Sequence, residues 1–508
     1  MNPSGYYSAL PYSVGYYDGM NRSLVGLTLG LATNNSLTIE TACELGFGQG
    51  LSLAIHSAAS STKWYGNDLI PSHVNFANDL ICASGANSVL SAASFVEYCA
   101  DKNLPQFDFI AMHGVWSWID EADRQAILNF LNTKLNPNGI LYVSYNSMPG
   151  QTALLPFRHL FNYQHKKKTD LNSPREKIQS AFSEIKNLLK AGSKNFLENT
   201  RTLETIEALK SRDDSYLAHE YLNDSWEPMY FDRIHEDFTS VGLQFVASSN
   251  FLDHIQPFSF TESQLAYLSD TQSIVDKQLA IDYLTNRPFR REYWVKSQTA
   301  LPSALKLANI PQTTEFVQIV SNSAIKLSIK TNAGHFTLSS DIYEPFCALF
   351  SNHAIISFPD IVKMMARKGI SVEQVGEAIS IFLGCGYIST ASSESNAKIS
   401  GQCFALNDYL LERSLVRSDI NFFASPVTQG GVYVPRPHQL FLFGQKTYNQ
   451  TEKIVKSAHN ALLANKESIM RQDGSVVSND DLMSELSAQY DIYQASYLSR
   501  YQALGIVT

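Results

Sequence analysis

The sequence predicts an α/β fold, in which helices cover a largely parallel sheet, followed by a mostly helical C-terminal region. Between residues 39 and 147, short apolar runs alternate with amphipathic segments, which is the pattern of βα units. Beyond residue 301, apolar residues recur mainly at helical spacing. A chain of 508 residues is also too long for one hydrophobic core, so we expect several domains.

The first 150 residues carry the predicted sheet, and we assign them to an α/β core. Strands are expected at residues 39–45, 63–69, 89–93, 107–113 and 139–145. Helices are expected at residues 51–60, 73–85 and 120–135, with a Pro-Asn-Gly turn at 137–139. The first helix has an apolar stripe that suits packing on a sheet, formed by Leu51, Ala54, Ile55 and Ala58.

The pattern changes after residue 150. Long polar helices are predicted at residues 174–191 and 199–210, so we assign residues 151–240 to a helical insertion or middle region. Two later segments, 242–251 and 289–295, have strand-like composition and are expected to complete the core sheet within residues 241–300.

Residues 301–508 are predicted to form a separate, mixed but mostly helical domain. A strand at 326–330, helices at 343–350, 360–367 and 372–383, and a further strand from Gly386 suit a winged-helix-like module. Because no basic face accompanies these segments, we expect protein contacts rather than DNA binding.

Composition excludes several classes of protein. The net charge of −9 disfavours binding to the phosphate backbone of nucleic acid. The chain has no apolar run of about 18 residues and no signal peptide, so we expect a cytoplasmic protein without membrane insertion. The six cysteines lack the paired spacing of a zinc site, so we expect buried free thiols and no metal.

One stretch departs from the acidic balance. Residues 151–212 contain twelve Lys or Arg against six Asp or Glu. This excess fits either a docking face for an anionic partner or an ordinary solvated helical surface, and the count leaves both open.

The segment ELGFGQG, residues 44–50, predicts a glycine-rich turn between the first strand and the first helix, with Glu44 at its entrance. A dinucleotide site needs a third glycine where this chain has Leu51. A pyrophosphate about 4 Å from Glu44 would be repelled by about 1 to 4 kcal/mol. S-adenosylmethionine has no phosphate and carries an ammonium and a sulfonium, so the same carboxylate attracts it. Asp68, at the end of the second strand, is expected to accept hydrogen bonds from two ribose hydroxyls.

These motifs, with GND at 66–68 and NPNGILYVSYN at 136–146, resemble those of class I S-adenosylmethionine-dependent methyltransferases. A more specific resemblance is to the bacterial subgroup that contains a methyltransferase regulatory domain. It rests on HGVWSWI, VSYNSMPG, YLAHEYLNDSWEPMYF and RPFRREYWVK, at residues 113–119, 143–150, 216–231 and 287–296. These motifs lie within the first 300 residues.

The resemblance implies a methyltransferase with a Rossmann-like core, a middle domain, a C-terminal domain and S-adenosylmethionine as cofactor. Its family includes protein-lysine methyltransferases that act on bacterial outer-membrane proteins. The implied partner is a protein that presents a lysine, with a homodimer also considered. The residues expected to bind the cofactor are Glu44, Gly46, Gly48, Gln49, Gly50, Asp68, Ser94, Phe95, His113, Tyr16 and Tyr17. Ser94 and Phe95 are included because the acid that often follows the third strand is absent here.

The acceptor site is expected beyond the carboxyl ends of the fourth and fifth strands. His113 is the first candidate for a general base and Tyr145 the second. The alternative for His113 is a role in orienting the backbone or contacting the cofactor. Trp116 and Trp118 form either an aromatic wall for the methylated cation or part of the core, and Asn146 is expected to orient the acceptor amine.

Two further segments are candidates for the site. The N-terminal tyrosines suit either a lid, with Tyr16 or Tyr17 on the cofactor, or packing of an N-terminal arm on the surface. His219 and Glu220 either face the acceptor cleft or cap a helix.

Three hypotheses for function follow. The first is a protein-lysine N-methyltransferase, and the second is a methyltransferase for a hydroxyl of a small molecule or glycan. The third is a regulatory scaffold that keeps the cofactor fold. The acid and the glycines of the turn, together with Asp68, disfavour the third.

Overall fold

The computed structural model describes most of the chain. The described residues are 12, 14–33, 38–167, 174–209, 212, 214–223, 225–297, 305–331, 333–350, 354–392, 396–471 and 474–508.

A seven-stranded sheet forms the centre of the first 300 residues. Its strands are β1 (Thr41–Leu45), β2 (Lys63–Asp68), β3 (Ser88–Ala92), β4 (Phe107–Met112), β5 (Leu135–Asn146), β6 (Leu243–Ser248) and β7 (Phe289–Lys296). They lie in the order β3-β2-β1-β4-β5-β7-β6, with β1 to β5 parallel and β7 antiparallel to both of its neighbours. The chain order reverses between β1 and β4, where a crevice opens at the carboxyl ends of the strands.

Among the described residues, five α-helices precede the insertion: α1 (Arg22–Thr33), α2 (Leu51–Ala58), α3 (Pro71–Ser84), α4 (Phe95–Cys99) and α5 (Glu121–Lys134). Side chains of the sheet alternate between two hydrophobic cores. Ala42 and Phe109 lie in one core, and Cys43 and Ile110 in the other. The turn predicted at 137–139 lies within β5: the pairing with β4 skips from Leu135 to Ile140, and Asn138 between them has a φ of 63°.

The helical insertion has a core of its own. Its helices are α6 (Leu155–Lys167), α7 (Pro174–Lys190), α8 (Lys194–Leu197), α9 (Thr200–Leu209) and α10 (Asp214–Tyr221). Phe157, Ile178 and Ile206 are buried together there. The chain then returns to the sheet through α11 (Phe231–Thr239), and β6 and β7 are separated by α12 (Gln256–Ser259), α13 (Glu262–Ser269) and α14 (Ile274–Thr285).

The next unit contains the three helices that the sequence predicts. They are α15 (Ser340–Leu349), α16 (Phe358–Ala366) and α17 (Val372–Gly384). The strands are β8 (Glu315–Gln318), β9 (Ser328–Thr331), β10 (Gly334–Thr337), β11 (Ile356–Ser357) and β12 (Ile388–Ala391). β9 and β10 pair as a hairpin, and the others form a sheet in the order β11-β8-β12.

The last unit packs against the core beside the glycine turn. Its helices are α18 (Ala397–Ser414), α19 (Arg436–Thr447), α20 (Thr451–Ala464), α21 (Leu482–Ser496) and α22 (Leu498–Ala503), and β13 (Phe422–Ser425) pairs with β14 (Gly430–Tyr433). One hydrophobic core runs from Leu53 of α2 to Leu406 of α18. We call residues 396–508 the C-terminal cap. The predicted fold class, an α/β core with a mostly helical C-terminal region, is confirmed.

Two further expectations concern membrane insertion and the cysteines. Among the described residues, no helix is both long and apolar enough to cross a membrane. All six cysteines are free thiols, but only Cys43 and Cys403 are buried; Cys82 is exposed and the other three are half-buried, so the expectation that the cysteines are buried is wrong for those four.

Candidate functional site

The glycine-rich turn follows β1 and leads into α2. Gly46, Gly48 and Gly50 have φ angles of 71°, 59° and 72°, in the left-handed region that favours glycine. A Cβ at Gly46 would lie 2.7 Å from Val115, and one at Gly50 would lie 2.5 Å from the Cβ of Ala77. Gly46 and Gly48 face a cavity, whereas Gly50 serves the packing of α2 on α3.

That cavity has a volume of about 320 Å³ and opens at the carboxyl ends of the strands. Its lining includes three carboxylic acids, Asp68, Asp123 and Glu220, and no lysine or arginine among the described residues. The cavity therefore favours cationic ligands over phosphates.

Glu44 lies at the end of β1 with only 1% of its surface exposed. Its Oε2 atom has no hydrogen-bond partner in the described structure. Burial raises the pKa of this carboxyl well above its usual value, and the nearby charge of Asp68 adds to the effect. An unpartnered buried carboxylate costs about 1 to 3 kcal/mol or more. Glu44 is not part of the cavity lining, so the direct cofactor contact predicted for it stays a prediction.

Asp68 joins the glycine turn to α3. Its Oδ2 accepts from the Gly48 amide at 2.9 Å, and its Oδ1 accepts from the Ile70 amide at 2.9 Å. His73 Nδ1 lies 3.0 Å from the same Oδ1, while His73 Nε2 accepts from the Tyr12 amide. Because Nε2 is an acceptor, Nδ1 carries the proton and donates to Asp68. This carboxylate is held rigidly at the cavity wall, where a ribose is expected.

The region expected to hold the adenine lies after β3. Ser94 and Phe95 line the cavity with Asn67. The Ser94 hydroxyl caps α4: it accepts from the Glu97 amide and donates to the Glu97 carboxylate at 2.8 Å. Both hydrogen bonds of the hydroxyl predicted to bind adenine are therefore made within the helix. Phe95 has an apolar ring in the cavity wall on which adenine could pack.

His113 lies after β4, where the sequence places it, and lines the cavity. Its Nδ1 is 2.8 Å from the Tyr142 hydroxyl. Burial lowers the pKa of His113 from 6.5 to about 3, with a further contribution from the charge of Arg291. A base this weak is a poor acceptor for a proton from an amine with a pKa near 10. The geometry thus supports the orienting role for His113 over the general-base role.

Two predicted catalytic residues lie away from the cavity. Trp116 is fully buried and packs on Phe238, with 5.0 Å between ring centroids. Tyr145 is also fully buried, and its hydroxyl donates to Glu292 at 3.2 Å. Its side chain points into the core because alternate residues of β5 face opposite sides of the sheet. The catalytic roles predicted for Trp116 and Tyr145 are not supported by this geometry.

Trp118 lines the cavity, and a second tryptophan lies beside it. The guanidinium carbon of Arg158 lies 4.9 Å from the ring of Trp118 and 4.2 Å from that of Trp226. The predicted aromatic wall therefore already holds a cation of this chain. Trp226 Nε1 also donates to the Asn146 side-chain oxygen at 3.1 Å, which orients Asn146 toward the cavity.

The two N-terminal tyrosines that were expected to contact the cofactor, Tyr16 and Tyr17, lie in different surroundings. Tyr17 lines the cavity. Tyr16 stacks on Phe422 at 4.5 Å, and its hydroxyl accepts from the Gly431 amide at 2.7 Å. The predicted cofactor contact is thus open to Tyr17, whereas the ring of Tyr16 is directed into the C-terminal cap.

His219 and Glu220 face the cavity rather than capping a helix. Tyr12 donates from its hydroxyl to Glu220 Oε1 at 3.1 Å. Burial raises the pKa of Glu220, and the hydrogen bond from Tyr12 and the charge of Arg158 oppose that rise.

Sequence reasoning missed several residues of the cavity wall: Tyr12, Asn67, His73, Asp123 and Phe289. A signal existed for Asn67, which directly precedes Asp68, and for His73, which lies in the first turn of the helix after β2. No local signal marks Phe289, which reaches the site because β7 pairs Phe289 with Asn146.

Comparison with known proteins bears on these findings. Residues 213–296 match the family model described as "Predicted methyltransferase regulatory domain". The uncharacterised Synechocystis protein sll1526 is 27% identical over 508 residues, which cover 99% of each chain. The uncharacterised Rickettsia prowazekii protein RP028 is 30% identical over 222 residues, 42% of this chain and 84% of RP028. The chain therefore belongs to the same family as RP028.

A solved structure decides the fold. The structure of PKMT2 from Rickettsia typhi in complex with AdoHcy aligns with a TM-score of 0.66 over 97% of this chain and 99% of that chain, at 18% identity. The chain therefore has the fold of that protein, which was solved with AdoHcy. The predicted resemblance is thereby confirmed.

The residues of the cavity are suited to S-adenosylmethionine. The turn leaves no room for a Cβ at Gly46. The unpartnered oxygen of Glu44 lies at the end of β1, directly before this turn. The carboxylates of the cavity lining favour a ligand that carries positive charge, as S-adenosylmethionine does. Asp68 would hold the ribose, and the methionine part of the cofactor would pass close to the backbone at Gly48.

Proposed function

We propose that this methyltransferase transfers a methyl group from S-adenosylmethionine to the side-chain amine of a protein lysine. The observation that carries the proposal is the acidic lining of the cavity, which has three carboxylic acids and no cationic side chain among the described residues. Such a lining attracts a sulfonium cofactor, and it attracts an amine acceptor, which arrives as a cation, more strongly than a neutral hydroxyl acceptor. The motif resemblance supports a bacterial surface or outer-membrane protein as the substrate.

The residues of the cavity divide into two groups. We assign Gly48 and Asp68 to the cofactor, and Asn146, Trp118 and Glu220, which line the same cavity, to the acceptor. The cofactor, when bound, supplies the electrophilic methyl group. The chain contributes chiefly by positioning the acceptor nitrogen in line with that group.

Glu220 is the residue we propose for handling the acceptor's charge. A lysine arrives as an ammonium and must lose a proton before its nitrogen attacks. Glu220 pairs with the ammonium, and its raised pKa makes it a better proton acceptor than an exposed carboxylate. Glu220 would take this proton and pass it to solvent, and the neutral nitrogen could then accept the methyl group that a bound S-adenosylmethionine would supply.

The test uses S-adenosylmethionine labelled in the methyl group, incubated with the protein and with bacterial extract. The extract is separated into protein, lipid-glycan and small-molecule fractions, and mass spectrometry locates the modified residue. We expect label on lysine in the protein fraction. Label found only outside protein would overturn the lysine proposal while leaving methyl transfer intact.

A matched pair of variants tests Glu220. Glu220→Gln should lower turnover by about tenfold to a hundredfold, with the binding of S-adenosylhomocysteine unchanged. The exposed Glu236→Gln is the control and should retain full activity. Equal activity of the two variants would remove Glu220 from the mechanism.

A further inference from the structure

Arg417, in the C-terminal cap, is joined to the glycine-rich turn of the core. Its Nη1 donates to the side-chain oxygen of Gln49 at 3.2 Å. Its Nε and Nη2 form a two-pronged bond with Asp419, at 2.9 Å and 2.6 Å, which fixes the plane of the guanidinium. The same group lies 4.9 Å from the ring of Phe76 on α3. Arg417 does not line the cavity itself.

Gln49 in turn contacts the N-terminal segment at Tyr12. Its Nε2 donates to the carbonyl oxygen of Tyr12. The amide of Tyr12 donates to His73 Nε2 at 2.9 Å, and His73 donates in turn to Asp68. A continuous hydrogen-bonded chain thus connects the cap to the carboxylate expected to hold the ribose.

Other contacts place the N-terminal segment between the cap and the core. The Val14 amide donates to Asp419 Oδ2 at 3.4 Å. The side chain of Asn21 donates to the Thr428 carbonyl oxygen at 2.9 Å. A Cβ at Gly431 would lie 2.6 Å from the ring of Tyr16, so the two surfaces touch closely.

We propose that Arg417 is a positioning residue through which the C-terminal cap holds the cofactor in place. Three residues of the N-terminal segment, Tyr12, Gly15 and Tyr17, line the cavity. Gln49 is 7% exposed and can orient Tyr12 only while its own oxygen has a donor. Without Arg417, that oxygen is left unsatisfied, and the wall formed by Tyr12 is held less firmly. The cap thereby controls how long the cofactor stays bound.

The experiment measures binding of S-adenosylhomocysteine to the full chain, with its Kd from calorimetry and its release rate from stopped-flow fluorescence. Arg417→Met keeps the stem over Phe76 and removes the donors. We expect a Kd about five- to tenfold higher and faster release. Arg417→Lys retains one donor and should restore part of the affinity. Arg413→Met is the matched control, because Arg413 is exposed and lies 4.9 Å from the ring of Tyr409.

A double-mutant cycle with Gln49→Ala decides whether the effect passes through Gln49. Once Gln49 is removed, Arg417→Met should have no further effect on Kd. Additive effects would overturn the proposal, and so would a Kd for Arg417→Met that equals that of Arg413→Met. The inference rests on cofactor binding in this cavity. Binding measured with the wild-type protein tests the proposed function separately from the role of Arg417. Failure of the wild type to bind would contradict the proposed function, whereas binding that is insensitive to Arg417 would contradict only this inference.

Discussion

The imidazole of His113 lies face to face with the phenol ring of Tyr17, with 3.5 Å between ring centroids and an interplanar angle of 17°. This stack joins the loop after β4 to the N-terminal segment at the edge of the cavity. It buries His113, and that burial holds the pKa of the imidazole at about 3. A residue that the sequence marks as a proton acceptor thus stays neutral over the whole physiological pH range.

His113→Gln tests this assignment through the pH dependence of stability. Because the pKa is depressed in the folded state, neutral His113 favours folding above pH 6.5, and that contribution is lost as pH falls toward 3. Between pH 7 and pH 5, wild type should lose about 2 kcal/mol of unfolding free energy more than His113→Gln. Urea unfolding at both pH values measures the difference. Parallel losses in the two proteins would contradict the low pKa.

The same variant separates orienting from proton transfer. If His113 only orients, His113→Gln should keep the shape of the pH–rate profile between pH 6 and 9 while the rate falls by about tenfold. Loss of one limb of the profile would restore His113 as the base, and loss of cofactor binding would make it a cofactor residue.

Glu44→Gln should have opposite effects on stability and on binding. The raised pKa of Glu44 means that its contribution to stability is complete below pH 4.5 and is lost as pH rises through the folded-state pKa. The glutamine variant should therefore be more stable than wild type without ligand at pH 8, by about 1 to 3 kcal/mol, and the gap should close toward pH 4. Thermal melts across this range provide the measurement.

Binding provides the second half of the Glu44 test. If the cofactor's ammonium supplies the missing partner, Glu44→Gln should weaken S-adenosylmethionine by about tenfold or more at pH 8. A variant that gains stability and keeps full affinity would show that the carboxylate serves another purpose.

Asp68→Ala should abolish most of the rise in melting temperature that S-adenosylhomocysteine produces in wild type. The change removes the acceptor expected for the ribose and also releases the amides of Gly48 and Ile70. Asp68→Asn keeps the shape but cannot accept all three donors, so its Kd should also rise at least about tenfold. An undiminished thermal shift in both variants would place the ribose elsewhere.

Arg290→Met should destabilise the core severely. The Arg290 side chain is 2% exposed and donates to Asp282 at 2.5 Å and to Glu292. Burial raises the pKa of Asp282 to about 6 even beside this arginine. Removing the guanidinium leaves the buried carboxylates of Asp282 and Glu292 without this partner, which should lower the free energy of unfolding by about 3 to 5 kcal/mol.

The neighbouring residue offers the control for Arg290. Arg291 is 37% exposed and lies 3.6 Å from Asp18, so Arg291→Met should cost less than about 1 kcal/mol. Chemical denaturation of both variants gives the comparison, and equal stabilities would refute a structural role for the buried cluster.

The sequence alone determined the α/β core, the glycine turn and the position of Asp68. Each depends on residues that are near in sequence, and parallel strands bring their carboxyl ends to one edge whatever the rest of the chain does. The tertiary structure decided what surrounds that edge. Glu220 and Arg417 reach it from segments about 150 to 350 residues away. Packing between those segments decides which face Trp116 and Tyr145 take and how deeply His113 is buried. The local spacing of residues in the sequence does not predict that packing.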